Sequence, residues 1–129
     1  MAISSAICSS FKQELLQGKH SLDTSGNGGD TFKLAMFTSS ASLGAATTVY
    51  STSNEISGSG YSAGGATLTN TGVGLTSTTA FTDFSDVSFT SASFTANGCL
   101  IYNTTMAGGS GTTNAVCVEM LQIDEWREG

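Results

Sequence analysis

A glycine-rich stretch, residues 56–75 (ISGSGYSAGGATLTNTGVGL), sets the terms for the fold. Gly58, Gly60, Gly64 and Gly65 break a polar run that carries one aromatic, Tyr61. Glycine accepts positive φ and close backbone approach, so such a run bends the chain sharply. From Ala66 the pattern Ala-Thr-Leu-Thr alternates, which argues for a half-buried strand. The chain has no proline, so glycine, Asn and Asp must supply its tight turns. A long glycine-hinged loop feeding a strand, with alternating segments on both sides, points to a β-rich domain.

The flanking segments fit. Residues 31–38 (TFKLAMFT) place Phe32, Leu34 and Met36 on one face and Lys33 and Ala35 on the other, with Phe37 the apolar exception. Residues 47–51, 78–84 and 86–94 read as further short strands. Residues 95–103 (TANGCLIYN) are apolar on both faces, Leu100 and Tyr102 against Cys99 and Ile101, and so belong in the middle of a sheet. Ala115-Val116-Cys117-Val118 is a buried strand. Short strands with turn signals about every eight to twelve residues predict an all-β, antiparallel, jelly-roll-like sandwich.

One helix interrupts this pattern. Ser10 to Gln13 has the S-x-x-Q form of a capping box, Phe11 and Leu15 share a helix face, and Gly18 stands where a glycine ends a helix. Before it, residues 1–9 form an extended arm whose Ile3, Ile7 and Cys8 dock on a neighbour or on the domain's own edge. Residues 10–118 make the sandwich, one domain by length. Residues 119–129 (EMLQIDEWREG) are a charged tail or terminal strand carrying the only tryptophan, Trp126. Ile3, Ile7, Tyr61 and Trp126 are the candidate partner contacts.

Composition narrows function. Four Lys/Arg against ten Asp/Glu give a net charge of −6, so no footprint for nucleic-acid phosphates is expected. Charged residues are 11%, against about 25% in an average domain. A surface of Ser, Thr, Gly and Ala is poorly protected against association and suits a protein that works in an assembly. Cys8, Cys99 and Cys117 have the spacing of neither a disulfide framework nor a zinc site, and Cys99 and Cys117, inside apolar runs, read as small buried hydrophobes. No apolar run is long enough to span a membrane, and residues 1–9 lack the basic start of a secretory signal.

Several motifs tempt a chemical reading. Gly60 to Gly64 matches G-x-S-x-G around Ser62, but a strand rather than a helix is expected after it. His20, the only histidine, follows a predicted helix end, where it complements the helix dipole. Asp23, Asn27 and Asp30 fall short of a calcium loop and read as a plain turn. Asp83 and Asp86 read as solvated turn residues. Asn103-Thr104-Thr105 fits a glycosylation sequon, which matters only in a secreted chain. No catalytic, cofactor or metal site is expected.

Three blocks, residues 11–20 (FKQELLQGKH), 31–68 and 94–103 (FTANGCLIYN), together with the AVCV strand, resemble the small structural proteins of tailed bacteriophages and prophages. The most specific part is N-E-x-S-G-x-G-Y-x-A-G-G-x-x-L, residues 54–68. The resemblance implies a non-enzymatic virion protein with no catalytic residues to carry over. The leading expectation is a capsid decoration (cement) protein on the outer shell, made in the bacterial host cytoplasm. Its partners would be the major capsid protein and itself, as a small homo-oligomer such as a trimer. The alternatives are a tail or fibre component and a host-glycan-binding module, the latter disfavoured by the scatter of Tyr50, Tyr61, Tyr102 and Trp126. Chains of this kind continue past A-V-x-V with an aspartate-containing turn and a further strand. The different ending here predicts an open sheet edge, covered by a neighbour's arm.

Overall fold

A computed structural model of the chain describes residues 3–22, 30–84, 96–105 and 114–120. They form an all-β, antiparallel, sandwich-like fold with one short helix. The elements are β1 (Ala6–Ile7), α1 (Ser9–Leu16), β2 (Phe32–Phe37), β3 (Ala66–Thr67), β4 (Asn70–Thr76), β5 (Thr79–Phe84), β6 (Gly98–Asn103) and β7 (Ala115–Met120). A five-stranded sheet runs β1-β7-β6-β2-β3, and β4 and β5 form a separate hairpin. The predicted strand 86–94 and the tail 121–129 with Trp126 lie outside the described residues.

The strand expected in the middle is in the middle. β6 pairs with β2 along its whole length, from Phe32↔Asn103 to Phe37↔Gly98, and with β7 on its other side. Both of its faces are covered, as its two-sided apolar pattern requires. Phe37, Leu100, Tyr102 and Val118 join the main core, while Met36 and Cys99 pack with Ile56 and Ala96 in a second cluster. β2 is therefore buried on both faces, more than simple alternation suggested. Leu100 has no exposed surface. Leu100→Ala should cost about 2–5 kcal/mol, read as a lower midpoint in chemical denaturation.

The N-terminal arm closes the outer edge of β7 within the same molecule. Ala6 pairs with Val118 and Ile7 with Cys117, the Cys8 N–H donates to the Val116 carbonyl, and the Met120 N–H donates to Ser5 Oγ. The edge expected to await a neighbour's arm is thus covered in cis.

Helix α1 begins earlier than its sequence signal. Cys8 is the N-cap, so the Ser10–Gln13 capping box does not form, and Ser10 Oγ is buried inside the first turn without a hydrogen-bond partner. The C-terminus follows expectation. Gly18 has φ +75°, its N–H donates to Leu15, and the Lys19 N–H donates to Glu14. These two bonds make a Schellman cap. The buried face is Phe11 and Glu14, whereas Leu15 is partly exposed and Leu16 is open to solvent.

Residues 47–51 do not form the expected strand. The Thr48 carbonyl accepts from both Asn114 and Ala115, and the Tyr50 N–H donates to Asn114 Oδ1. These bonds tie the segment to the start of β7 without making a strand of it. The glycine-rich stretch also divides in two. After the two residues of β3 the chain leaves the large sheet and builds β4, which pairs with β5 around Ser77 at φ +56°. Positive φ at that position suits a two-residue hairpin turn.

Candidate functional site

Residues 54–68 form the outermost layer of the sheet, beside β2. The Thr38 N–H donates to the Asn54 carbonyl, the Ile56 N–H to Met36, and the Leu68 N–H to Phe32, while Lys33 and Leu34 pair with Thr67 and Ala66. Between these contacts the backbone swings away through Gly58, Gly60, Gly64 and Gly65. The gap this leaves is filled by a side chain: the Met36 N–H donates to Tyr61 Oη at 2.9 Å. A phenol thus replaces a missing strand residue.

Glu55 holds the excursion in place. Its Oε1 accepts from Tyr50 Oη at 2.5 Å, and its Oε2 accepts from Tyr61 Oη at 2.5 Å and from the Gly64 N–H at 2.8 Å. Tyr102 Oη donates to the Gly64 carbonyl at 2.6 Å, and the Tyr50 and Tyr102 rings stack 4.3 Å apart at 7°. The three tyrosines that look scattered in the sequence converge here, which corrects that expectation. Burial, and then the hydrogen bond to Glu55, push the Tyr50 and Tyr61 phenols well above the usual tyrosine range, and burial raises Tyr102 as well. These hydroxyls stay protonated first because burial disfavours the phenolate, and at Tyr50 and Tyr61 also because the hydroxyl donates to a carboxylate. The cluster is a clasp: both Glu55 oxygens are in use, and two ring faces cover each other.

A second polar chain ties α1 to β6. Asn103 is fully buried; its Oδ1 accepts from the Thr105 N–H, so its Nδ2 must donate, to Asp30 Oδ2 at 2.7 Å and to His20 Nδ1 at 2.9 Å. An accepting Nδ1 leaves the ring proton on Nε2, which donates to Glu14 Oε1 at 2.9 Å. His20 is therefore a buried strut, bonded to Glu14 and Asn103, at the helix end where it was expected to complement the dipole. The Asn103 amide is equally committed, so the sequon reading fails on burial. Asp30, of the suggested calcium turn, accepts from the Ser21 N–H and from Asn103. Asp23, Asn27 and Asp86 lie outside the described residues. Ser62 sits in an exposed turn followed by β3, not by a helix. Among the described residues no three His, Cys, Asp or Glu side chains group as metal ligands.

No family model, curated protein or solved structure matches this chain.

The candidate contact residues fall in different places. Ile3 is taken into the domain's own core and packs over Gly98, where an added Cβ would lie 2.7 Å from Ile3 Cγ2. Tyr61 is half-buried in the clasp. Ile7 is exposed and borders a groove of about 790 Å³ between α1 and the β4–β5 hairpin, lined also by Phe11, Leu15, Val73 and Phe81. Phe81 lies across Gly74, whose missing side chain makes room for the ring. Sequence reasoning picked Ile7 but missed Val73 and Leu75, because glycines at 72 and 74 disguise β4 as loop, and it missed Phe81 because the strand reading of 78–84 did not show which face is exposed.

Proposed function

We propose that this chain is a non-enzymatic structural protein of a bacteriophage virion, most specifically a capsid decoration protein that binds the outer shell. The supporting observation is the fate of residues 54–68, the block on which the resemblance to phage structural proteins chiefly rests. Glu55, Tyr61, Gly64 and Gly65 are all spent on closing one edge of the sheet. A block used in this way builds architecture rather than a ligand site, so the protein's work falls to its surface.

That surface is short of charge and carries an exposed apolar groove, which suits assembly. A net charge of −6 favours the outside of the shell, because DNA packaged inside repels it. Binding only the assembled shell stabilises it by mass action, and several weak contacts made by one oligomer reinforce one another. The glycan-binding alternative draws little from the tyrosine cluster. Its hydroxyls bond to Glu55 and Gly64, and Tyr50 and Tyr102 cover one another.

Quantitative mass spectrometry of purified particles tests the proposal. The expected copy number is comparable with that of the major capsid protein, and shells lacking this chain should rupture at lower temperature. A few copies per particle, co-purifying with detached tails, would assign the chain to the tail or fibre instead.

A further inference from the structure

Gly98 stands where no side chain fits. It opens β6, pairs with Phe37 on one side and Met120 on the other, and lies against Ile3 of the N-terminal arm. An added Cβ would sit 2.7 Å from Ile3 Cγ2, 2.8 Å from its Cδ1 and 3.2 Å from the Glu119 carbonyl oxygen. Glycine is therefore required where the arm packs on the sheet. The same missing side chain leaves the Gly98 nitrogen unshielded toward the residue before it, which is Asn97.

Asn97 is half-buried, at a bend, and its N–H donates to the Phe37 carbonyl. Its side-chain amide differs from the others. Asn54, Asn70, Asn103 and Asn114 each commit a side-chain atom to a hydrogen bond. Among the described residues, Asn97 is the asparagine whose amide makes none. An unheld amide followed by glycine has an electrophilic carbon one bond rotation from the next backbone nitrogen.

We propose that Asn97–Gly98 is a self-modification site covered by the arm, at which the Gly98 nitrogen displaces the Asn97 amide as ammonia when Ile3 lifts. The bond from the Gly98 nitrogen to Asn97 Cγ forms, the Cγ–Nδ2 bond breaks, and the proton of the Gly98 N–H leaves with Nδ2 in the ammonia. Water then opens the resulting succinimide ring at either carbonyl. One opening gives aspartate and the other isoaspartate, whose main chain is longer by a methylene. Water is the only co-reactant. In the closed fold, strands on both sides keep Gly98 in an extended ladder, so ring closure waits for this corner of the sheet to open. The cover is short, since β1 pairs only Ala6 and Ile7 with β7. Isoaspartate lengthens the chain beneath Ile3, so the seat of the arm and the Phe37↔Gly98 register are lost together, and the change is one-way.

The site stands apart from shell binding. Peptide mass mapping of the full-length protein after incubation at mildly alkaline pH tests it, with isoaspartate counted by isoaspartyl methyltransferase labelling. Mapping separates residue 97 from Asn27–Gly28, the other such pair in the sequence. In the folded wild type, conversion at Asn97 should run about tenfold or more slower than in urea, because opening must come first. Ile3→Ala removes the side chain over Gly98 and should raise the folded rate by about tenfold. Ser5→Ala removes only the acceptor of the Met120 N–H, loosens the arm without touching the core, and should raise it about twofold to tenfold. Leu68→Ala truncates a buried residue next to β3, at the far edge of the sheet, and should leave the rate near that of the wild type. Circular dichroism establishes that each variant is folded. Conversion in the folded wild type as fast as in urea overturns the proposal. So does a rate at Asn97 that neither arm variant raises, or one that Leu68→Ala raises as much as they do.

Discussion

Gly65→Ala should be among the most damaging single substitutions in this chain, with a loss of about 4 kcal/mol or more. Two separate terms add. At φ +84° an L side chain is strained by about 1–2 kcal/mol. The new Cβ would also lie 1.8 Å from the Leu34 carbonyl oxygen, 2.6 Å from its carbon and 2.8 Å from Ala35 Cα. All three are backbone atoms of β2, so no rotamer change relieves the overlap. β3 must lift away, and the Lys33↔Thr67 and Leu34↔Ala66 pairings go with it. Gly18→Ala is the internal control. Its φ is similar, +75°, but nothing lies within 4 Å of the added Cβ, so only the conformational strain of about 1 kcal/mol should appear. Chemical denaturation of both variants separates overlap from strain. Equal losses at the two sites would refute the close approach of β3 to β2.

What the sequence discloses follows from the range over which each signal acts. β2, β6, β7 and α1 are legible because alternation, two-sided apolar runs and a glycine stop are local patterns. Residues 47–51 carry the same β-forming side chains, yet Thr48 spends its carbonyl on Asn114 and Ala115, and no local pattern reveals that commitment. β4 is hidden for the opposite reason. Gly72 and Gly74 look like loop, although Phe81 covers the gap at Gly74 from the partner strand. The clasp is the least legible feature, because residues 50, 55, 61 and 102 meet only through the β2–β6 pairing. One signal was present: Glu55 is the only charged residue between Lys33 and Asp83. A lone carboxylate in so long an uncharged stretch, flanked by Tyr50 and Tyr61, marks a group held for its bonds rather than for solubility.

That carboxylate carries the second large effect. Glu55→Ala leaves the Tyr50 and Tyr61 hydroxyls and the Gly64 N–H without their acceptor. Hydrogen bonds to a charged group contribute about 1.5–3 kcal/mol each when buried. Glu55 is only half-buried, so water replaces part of the loss, and about 3 kcal/mol is expected for the three together. Glu55→Gln should recover only part of this, because one of its two terminal atoms is a donor facing donors. The clasp also fixes the response to alkali. The phenols have raised pKa values in the fold, so the unfolded chain loses those protons first. Stability from the tyrosines is then complete below about pH 10, the unfolded value, and drains away as pH rises further. Burial of Cys99, pushed up to about 12, and of Cys117, to about 11, acts in the same direction and starts nearer pH 9. Tyrosinate absorbance isolates the phenols from the thiols. In the wild type it should rise together with the loss of the far-ultraviolet β signal, because Tyr50 and Tyr61 ionise only when the clasp opens. Tyrosinate appearing near pH 10 while the sheet stays intact would show that Glu55 does not hold them.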